Sequence, residues 1–127
     1  MSIITVDLRS RTPIFEQIVC SVEDLVLRGM MKPDEQLPSV RALSAELGIN
    51  PNTIQKAYAE LERRGITYSV NTRGSFVCSD LSPLKEKHRS DTLARLSDML
   101  EDAGKKGISR KEIMSIIEKV WRDDSND

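Results

Sequence analysis

Histidine occurs once in these 127 residues, at His88, and cysteine twice, at Cys20 and Cys78. The cysteines lie far apart and match no metal-ligand spacing, and His88 stands among Lys and Arg as a solvated surface residue. No Ser/His/Asp or Cys/His set, glycine-rich phosphate loop or acidic metal cluster is present, so neither catalysis, a metal nor a cofactor has candidate residues. Cys20 and Cys78 read as reduced thiols of a cytoplasmic protein. Aromatic residues make up 4% of the chain. That is too few for the core of a sandwich or barrel, or for stacking along single-stranded nucleic acid. No run reaches the ~18 apolar residues of a membrane span. No basic segment precedes an apolar run at the N-terminus, so no signal peptide is expected. Strong charge of one sign is missing too. The formal net charge is −1, which by itself lends no support to nucleic-acid binding.

Apolar residues at 39% suffice for a compact core, and charged residues at 31% suit surface helices. Ile4, Val6 and Leu8 alternate with Ile3, Thr5 and Asp7, which predicts a short strand or extended arm. Thr12-Pro13 then opens a helix, with Thr12 as cap and Pro13 as first helical residue. Its apolar stripe is Ile14, Phe15, Ile18, Val19, Val22, Leu25 and Val26, and Gly29 ends it. Met30 and Met31 are expected to fill core gaps, and Lys32-Pro33-Asp34-Glu35 is a polar connection. Ser39 caps a short second helix with Val40, Leu43 and Leu47 inward; Gly48 stops it, and Ile49 anchors the turn. Asn50-Pro51 opens a third helix whose apolar face is Ile54, Ala57, Tyr58 and Leu61, closed by Gly65. The β-prone stretches Ile66–Val70 and Ser75–Val77 flank the turn residues Asn71-Thr72-Arg73-Gly74 and form a hairpin. The pattern is a helix-turn-helix followed by a wing, a device that places one helix in the major groove of DNA.

With Asn52 at zero and 100° per residue, Lys56 falls at about 40°, Ala59 at about 340°, Gln55 at about 300° and Thr53 at about 100°. Asn52, Gln55, Lys56 and Ala59 therefore share the exposed face. Asn and Gln pair two-pronged with adenine, Lys donates to guanine or phosphate, and Thr53 on the flank meets a thymine methyl or a phosphate. The alternative is an ordinary solvated helix face; the capped turn before it and the wing after it argue for DNA. Arg41, in the first turn of the second helix, is poorly used as a helix stabiliser, so a phosphate suits it. Arg73 at the hairpin tip fits a minor groove or a phosphate. Arg63 and Arg64 suit the C-terminal end of the helix dipole. Ser39–Cys78 carries five basic against three acidic residues, while residues 1–78 hold nine of each. Any basic surface must be local, with the acids turned away.

LPSVRALSAELGINPNTIQKAYAELERRGI followed by RGSFV resembles the winged helix-turn-helix of GntR-type bacterial transcription regulators, over about residues 9–78. Asn50-Pro51-Asn52-Thr53 and the short C-terminal extension look most like the YtrA subfamily. Many GntR-type proteins have an Arg before the paired Thr residues of the third helix. Pro51 and Asn52 stand there instead, so that contact does not carry over. Thr72 replaces the first Gly of the usual Gly-Arg-Gly wing tip, with Arg73 and Gly74 retained. The resemblance implies a DNA-facing set of Arg41, Asn52, Thr53, Gln55, Lys56, Arg73 and Gly74. It also implies a homodimer on a palindromic operator, usually a repressor and often of a transporter operon.

Beyond Cys78 the composition changes. Ser82-Pro83 caps a long polar helix with Leu93, Leu96, Met99 and Leu100 in its second half. Gly104-Lys105-Lys106-Gly107 is a break. Ser109 and Glu112 fit a capping box for a last helix with Ile113, Ile116, Ile117, Val120 and Trp121 on one side. The tail Asp123-Asp124-Ser125-Asn126-Asp127 is expected to fray. Two helices cannot enclose a ligand pocket of ~300 Å³ or bury their own stripes. Leu93, Leu96, Leu100, Ile113, Ile117 and Trp121 are thus expected to pack against a twin subunit, or else to fold back on the first domain. The expected architecture is mainly α with a small β hairpin: a winged helix-turn-helix over 1–78, then a two-helix dimerisation extension over 79–127. The expected function is a dimeric, sequence-specific double-stranded DNA-binding repressor, not an enzyme, with no membrane partner. Two rivals stay open: a winged helix used as a protein-interaction module, and a sensor whose DNA binding is gated by a small-molecule effector that no residue here identifies.

Overall fold

The first helix starts without a side-chain cap, and a glutamine a turn inside it gathers the preceding chain. In the computed structural model, which describes residues 3–125 and side chains through Arg122, α1 spans Ile14–Leu27 with Pro13 as its N-cap. Thr12 was the expected cap, but the helix starts one residue later. The Gln17 amide donates to the carbonyls of Thr12 and Asp7 and accepts from the Asp7 N–H. The arm before it is not a strand. Asp7 makes a turn, receiving the Arg9 N–H on its carboxylate and the Ser10 N–H on its carbonyl. Ile4 is fully buried, whereas Leu8 beyond the bend is 72% exposed.

α2 (Val40–Leu47) and α3 (Pro51–Arg63) follow the predicted signals closely. Ser39 Oγ accepts from the Ala42 N–H at 3.0 Å and Asn50 Oδ1 from the Asn52 N–H at 2.9 Å, each satisfying a donor the helix start leaves open. Between them Gly48 adopts φ 67, a left-handed conformation that side chains resist. The Ser44 hydroxyl donates to the Ile49 carbonyl and pins the turn. Ile54, Ala57, Tyr58 and Leu61 are buried. They pack with Ile18, Val19, Val22, Leu25 and Val26 of α1 and Leu43 of α2 in one core. The Tyr58 hydroxyl donates to the Pro38 carbonyl at 2.7 Å, tying α3 to the chain entering α2. Met31 joins the core, but Met30 does not: it is 57% exposed, because the left-handed Gly29 turns the chain between the helix and Met31.

β1 (Thr67–Val70) and β2 (Gly74–Val77) pair antiparallel, Thr67 with Val77 and Val70 with Gly74. A third rung comes from the supposed polar connection. Asp34 N–H donates to Val77 O, Val77 N–H to Glu35 O and Leu37 N–H to Ser75 O, with a bridge between Gln36 and Phe76. These bonds satisfy the outer edge of β2, whose backbone groups otherwise lack partners. Tyr68 stacks on Phe76 at 5.6 Å, and the Asp34 carboxylate accepts from the Tyr68 and Ser79 hydroxyls. Those two hydrogen bonds hold the Asp34 carboxyl below its ordinary range.

The chain divides into two compact units, Met1–Lys85 and Glu86–Asp127. The first runs past Cys78 because Leu81 is buried in its core and Leu84 packs against it. α4 (Ser82–Lys105) opens in the first unit and continues into the second. Its start is held not by Ser82 but by Asp80, whose carboxylate accepts the Ser82 N–H at 3.0 Å. Gly104 lies within α4, and the break comes at Gly107, φ 86. α5 (Arg110–Ser125) begins with the expected capping box: Ser109 Oγ accepts from the Glu112 N–H and Glu112 Oε2 from the Ser109 N–H. The fraying expected at Asp123–Asp127 falls outside the described residues, apart from helical backbone to Ser125. Among the described residues no helix is long and apolar enough to cross a membrane.

Candidate nucleic-acid interface

Three features carry the predicted site. The first turn of α2 presents Arg41, exposed at the helix's positive end. The outer face of α3 presents Asn52, Gln55 and Lys56, all exposed, with Thr53 half-buried on the flank. The tip of the hairpin presents Arg73 and Gly74, both exposed. Side chains of Arg41, Asn52, Gln55 and Arg73 make no hydrogen bond or ion pair among the described residues, so their donors are available. All seven residues lie in the first unit.

The acids of α3 are otherwise engaged. Glu60 accepts from Arg63 Nε at 2.6 Å and from Arg64 Nε at 2.8 Å, and Arg64 also reaches Glu23 of α1 at 3.7 Å. Arg63 and Arg64 thus close the end of α3 onto Glu60, and Arg64 links it to α1. Glu62 accepts from the Ser69 hydroxyl of β1 at 2.8 Å. Hydrogen bonds from Arg63 and then Arg64 hold the Glu60 carboxyl down to about 2 from 4.5. A depressed carboxyl stabilises the fold above its unfolded value and stops doing so as the pH falls through the folded one. Glu60→Gln is therefore expected to lower the thermal midpoint at neutral pH. The gap from wild type should close between pH 4.5 and about 2, and melts across that range check it. A gap that persists at pH 2 counts against the pairing.

Lys56 has a partner that spacing gives no hint of. Its ammonium lies over the Phe15 ring, 4.0 Å from the centroid. An exposed cation–π contact is worth roughly 0.5–1 kcal/mol, less than the roughly 1.5–3 kcal/mol of a hydrogen bond to a charged group. A phosphate can draw Lys56 off the ring. Gln36 is the other residue missed: its side-chain amide donates to the Arg73 carbonyl at 2.6 Å. Both pairs join residues distant in sequence, so no local pattern marks them.

Thr72 takes φ 66 and Gly74 φ 114. The left-handed region costs a residue with a Cβ about 1–2 kcal/mol. The wing tip keeps its turn despite losing one Gly, with the Arg73 N–H donating to the Val70 carbonyl at 3.0 Å.

The predicted dimerisation residues lie on α4 and α5. Leu93 and Leu96 are each 49% exposed and Trp121 is 65% exposed. Leu100 and Ile117 are exposed to lesser degrees, and Ile113 is half-buried. Every α4 residue from Lys85 to Asp102 is exposed.

Comparison with known proteins bears on the whole arrangement. Residues 14–77 match the family described as bacterial regulatory proteins, gntR family. The HTH-type transcriptional repressor YtrA of Bacillus subtilis (strain 168) is 37% identical over 121 residues, 94% of this chain and 93% of that protein. The crystal structure of a transcriptional regulator from Oenococcus oeni superposes with a TM-score of 0.76 at 28% identity, covering 91% of this chain and 97% of that one. The DNA-binding domain of AraR in complex with operator ORE1 has a TM-score of 0.52 at 27% identity, covering 58% of this chain and 90% of that one. With the capped helix-turn-helix, the wing and the likeness to YtrA in place, the chain belongs to the gntR family of bacterial regulatory proteins and is a DNA-binding transcription regulator, not an enzyme.

Proposed function

We propose that the chain acts in the cytoplasm as a homodimeric repressor that sets α3 of each subunit in a major groove of a palindromic operator and each wing in the neighbouring minor groove. The observation that carries the reading is the outer ridge of α3. Asn52 and Gln55 stand there with amides that have no partner among the described residues, beside Lys56, whose ammonium lies over an aromatic face. Arg41 and Arg73 serve as phosphate or minor-groove contacts, Thr53 flanks the ridge, and Gly74 lets the wing backbone approach. An operator complex of the AraR DNA-binding domain supports duplex DNA as the partner, and the name of YtrA supports repression. A transporter-type operon is the target that the resemblance to the family suggests.

Dimerisation is assigned to Leu93, Leu96, Leu100, Ile113, Ile117 and Trp121. Contiguous exposed apolar stripes on a monomer mark an interaction surface. The extension over residues 79–127 is read as that dimerisation element, after a DNA-binding domain over 1–78.

Selecting bound duplexes from a random pool with the full chain tests the reading. The expected result is two inverted half-sites with centres about 10 bp or a simple multiple apart; a pool without enrichment at low salt overturns it. On the recovered duplex, Lys56→Ala or Arg41→Ala should weaken binding and flatten its log–log salt dependence by about one unit per subunit. Asn52→Ala should instead relax base preference at one position. Equal loss on all sequences would make Asn52 a phosphate contact.

A further inference from the structure

We propose that Gln36, outside the DNA-facing set, is the positioning residue of the wing: its amide latches the hairpin tip and fixes where Arg73 points. The proposal rests on the reading of Arg73 as a DNA contact and deepens it. The tip loop has little else to hold it. Between Val70 and Gly74, paired across the hairpin, the one backbone hydrogen bond of loop positions 71–73 among the described residues runs from the Arg73 N–H to the Val70 carbonyl. Arg73 stands between two positive-φ residues, Thr72 and Gly74, so a small rotation of either adjoining peptide swings its side chain through a wide arc.

Gln36 closes that freedom from outside the hairpin. Its backbone bridges to Phe76 on the outer edge of β2, and its side chain runs along the wing to the tip. A carbonyl acceptor at 2.6 Å identifies the contacting atom as the donor, Nε2, and fixes the amide's orientation. The same Nε2 lies 3.2 Å from where a Cβ on Gly74 would stand. Glycine there leaves room for the latch as well as supplying φ 114. Leu37 and Ser39 follow directly, so the segment that grips the wing also leads into the cap of α2 and Arg41. Gln36 thereby sets the wing in register with the helix-turn-helix before DNA arrives. Preorganisation of this kind strengthens binding by removing an ordering cost, without adding a contact.

A double-mutant cycle on the duplex recovered from the random pool tests this, using the full chain. Gln36→Met keeps the side-chain length and removes the donor; Gln36→Asn keeps the amide but is one methylene too short. A net hydrogen bond is worth about 0.5–1.5 kcal/mol, so each variant should weaken binding about 2- to 10-fold per subunit. In the Arg73→Ala background the same changes should have almost no effect, because there is no guanidinium left to aim. In the Lys56→Ala background the full loss should persist, because Lys56 lies on a separate element. General damage to the fold, or a direct touch of Gln36 on DNA, would instead give the same loss in all backgrounds and overturn the proposal. So would wild-type affinity for both Gln36 variants while Arg73→Ala binds weakly. Wild-type affinity for Arg73→Ala itself overturns the wing contact and the latch together.

Discussion

Glutamate at both Leu100 and Ile117 is expected to weaken operator binding at least about 100-fold, while the winged helix keeps its fold. Two DNA-binding units joined in one particle gain roughly 10²- to 10⁴-fold over one, since the second contact becomes intramolecular. Separating the subunits forfeits that gain without touching any residue near DNA. Leu100 and Ile117 are the right positions because they are among the less exposed members of the two stripes, at 38% and 37%. They project from α4 and α5, so both helices are tested at once. A carboxylate forced into an apolar interface without a partner costs several kcal/mol, enough to split the pair. Sedimentation should report 14.3 kDa, the mass of one chain. Melting of Met1–Lys85 should be unchanged, because neither residue belongs to that unit. A variant that remains dimeric shows that the stripes are not the interface. A monomeric variant that binds as tightly as wild type shows that pairing is not needed.

The second large effect concerns the seat of α3. Leu61→Ala is expected to cost the fold about 3 kcal/mol, within the roughly 2–5 kcal/mol measured for buried leucine truncations. Leu61 is fully buried, and α1 and α3 share the core it fills. A small domain holds only about 5–15 kcal/mol in total, so this single cavity removes a large share. For a domain of this size the melting midpoint should drop by roughly 12–24 °C. Met30→Ala, at a site expected from sequence to be core but found exposed, should change stability by no more than about 0.5 kcal/mol. Thermal unfolding followed by circular dichroism measures both. A drop of only a few degrees for Leu61→Ala would mean the helix is not seated as described.

The parts of the fold visible in the sequence are those whose determinants lie within one helical turn. Ser39, Gly48, Asn50-Pro51, and Ser109 with Glu112 each satisfy or release a backbone group two to four residues away. Their spacing alone locates α2, α3 and the start of α5. The buried face Ile54, Ala57, Tyr58 and Leu61 follows from the helical period. Its opposite face then follows by elimination, which is why Asn52, Gln55 and Lys56 are found exposed.

What escaped the sequence depends on partners far along the chain. Asp34 and Glu35 read as part of a polar connection, yet with Leu37 they hydrogen-bond to β2 through backbone, which no side-chain pattern encodes. Gln36 gripping Arg73 and Phe15 receiving Lys56 are pairings of the same tertiary kind. Thr12 does not cap α1 because the helix starts one residue later, with Pro13 at the cap position, and the Thr12 carbonyl is instead one of three backbone groups that Gln17 binds. The alternation before it predicted a short strand or extended arm, and the structure has the arm, bent: among the described residues no strand lies beside it to pair with, and Asp7 favours a turn.

The ridge itself is tested most directly by replacing Asn52, Gln55 and Lys56 together with alanine. The fold should survive, because none of the three is buried. Affinity for the selected duplex and for a scrambled duplex would be measured side by side at one salt concentration. Wild type should prefer the selected duplex by at least about 10³-fold, and the triple variant should bind the two nearly alike. A folded triple variant that still prefers the selected duplex as strongly as wild type would contradict the account.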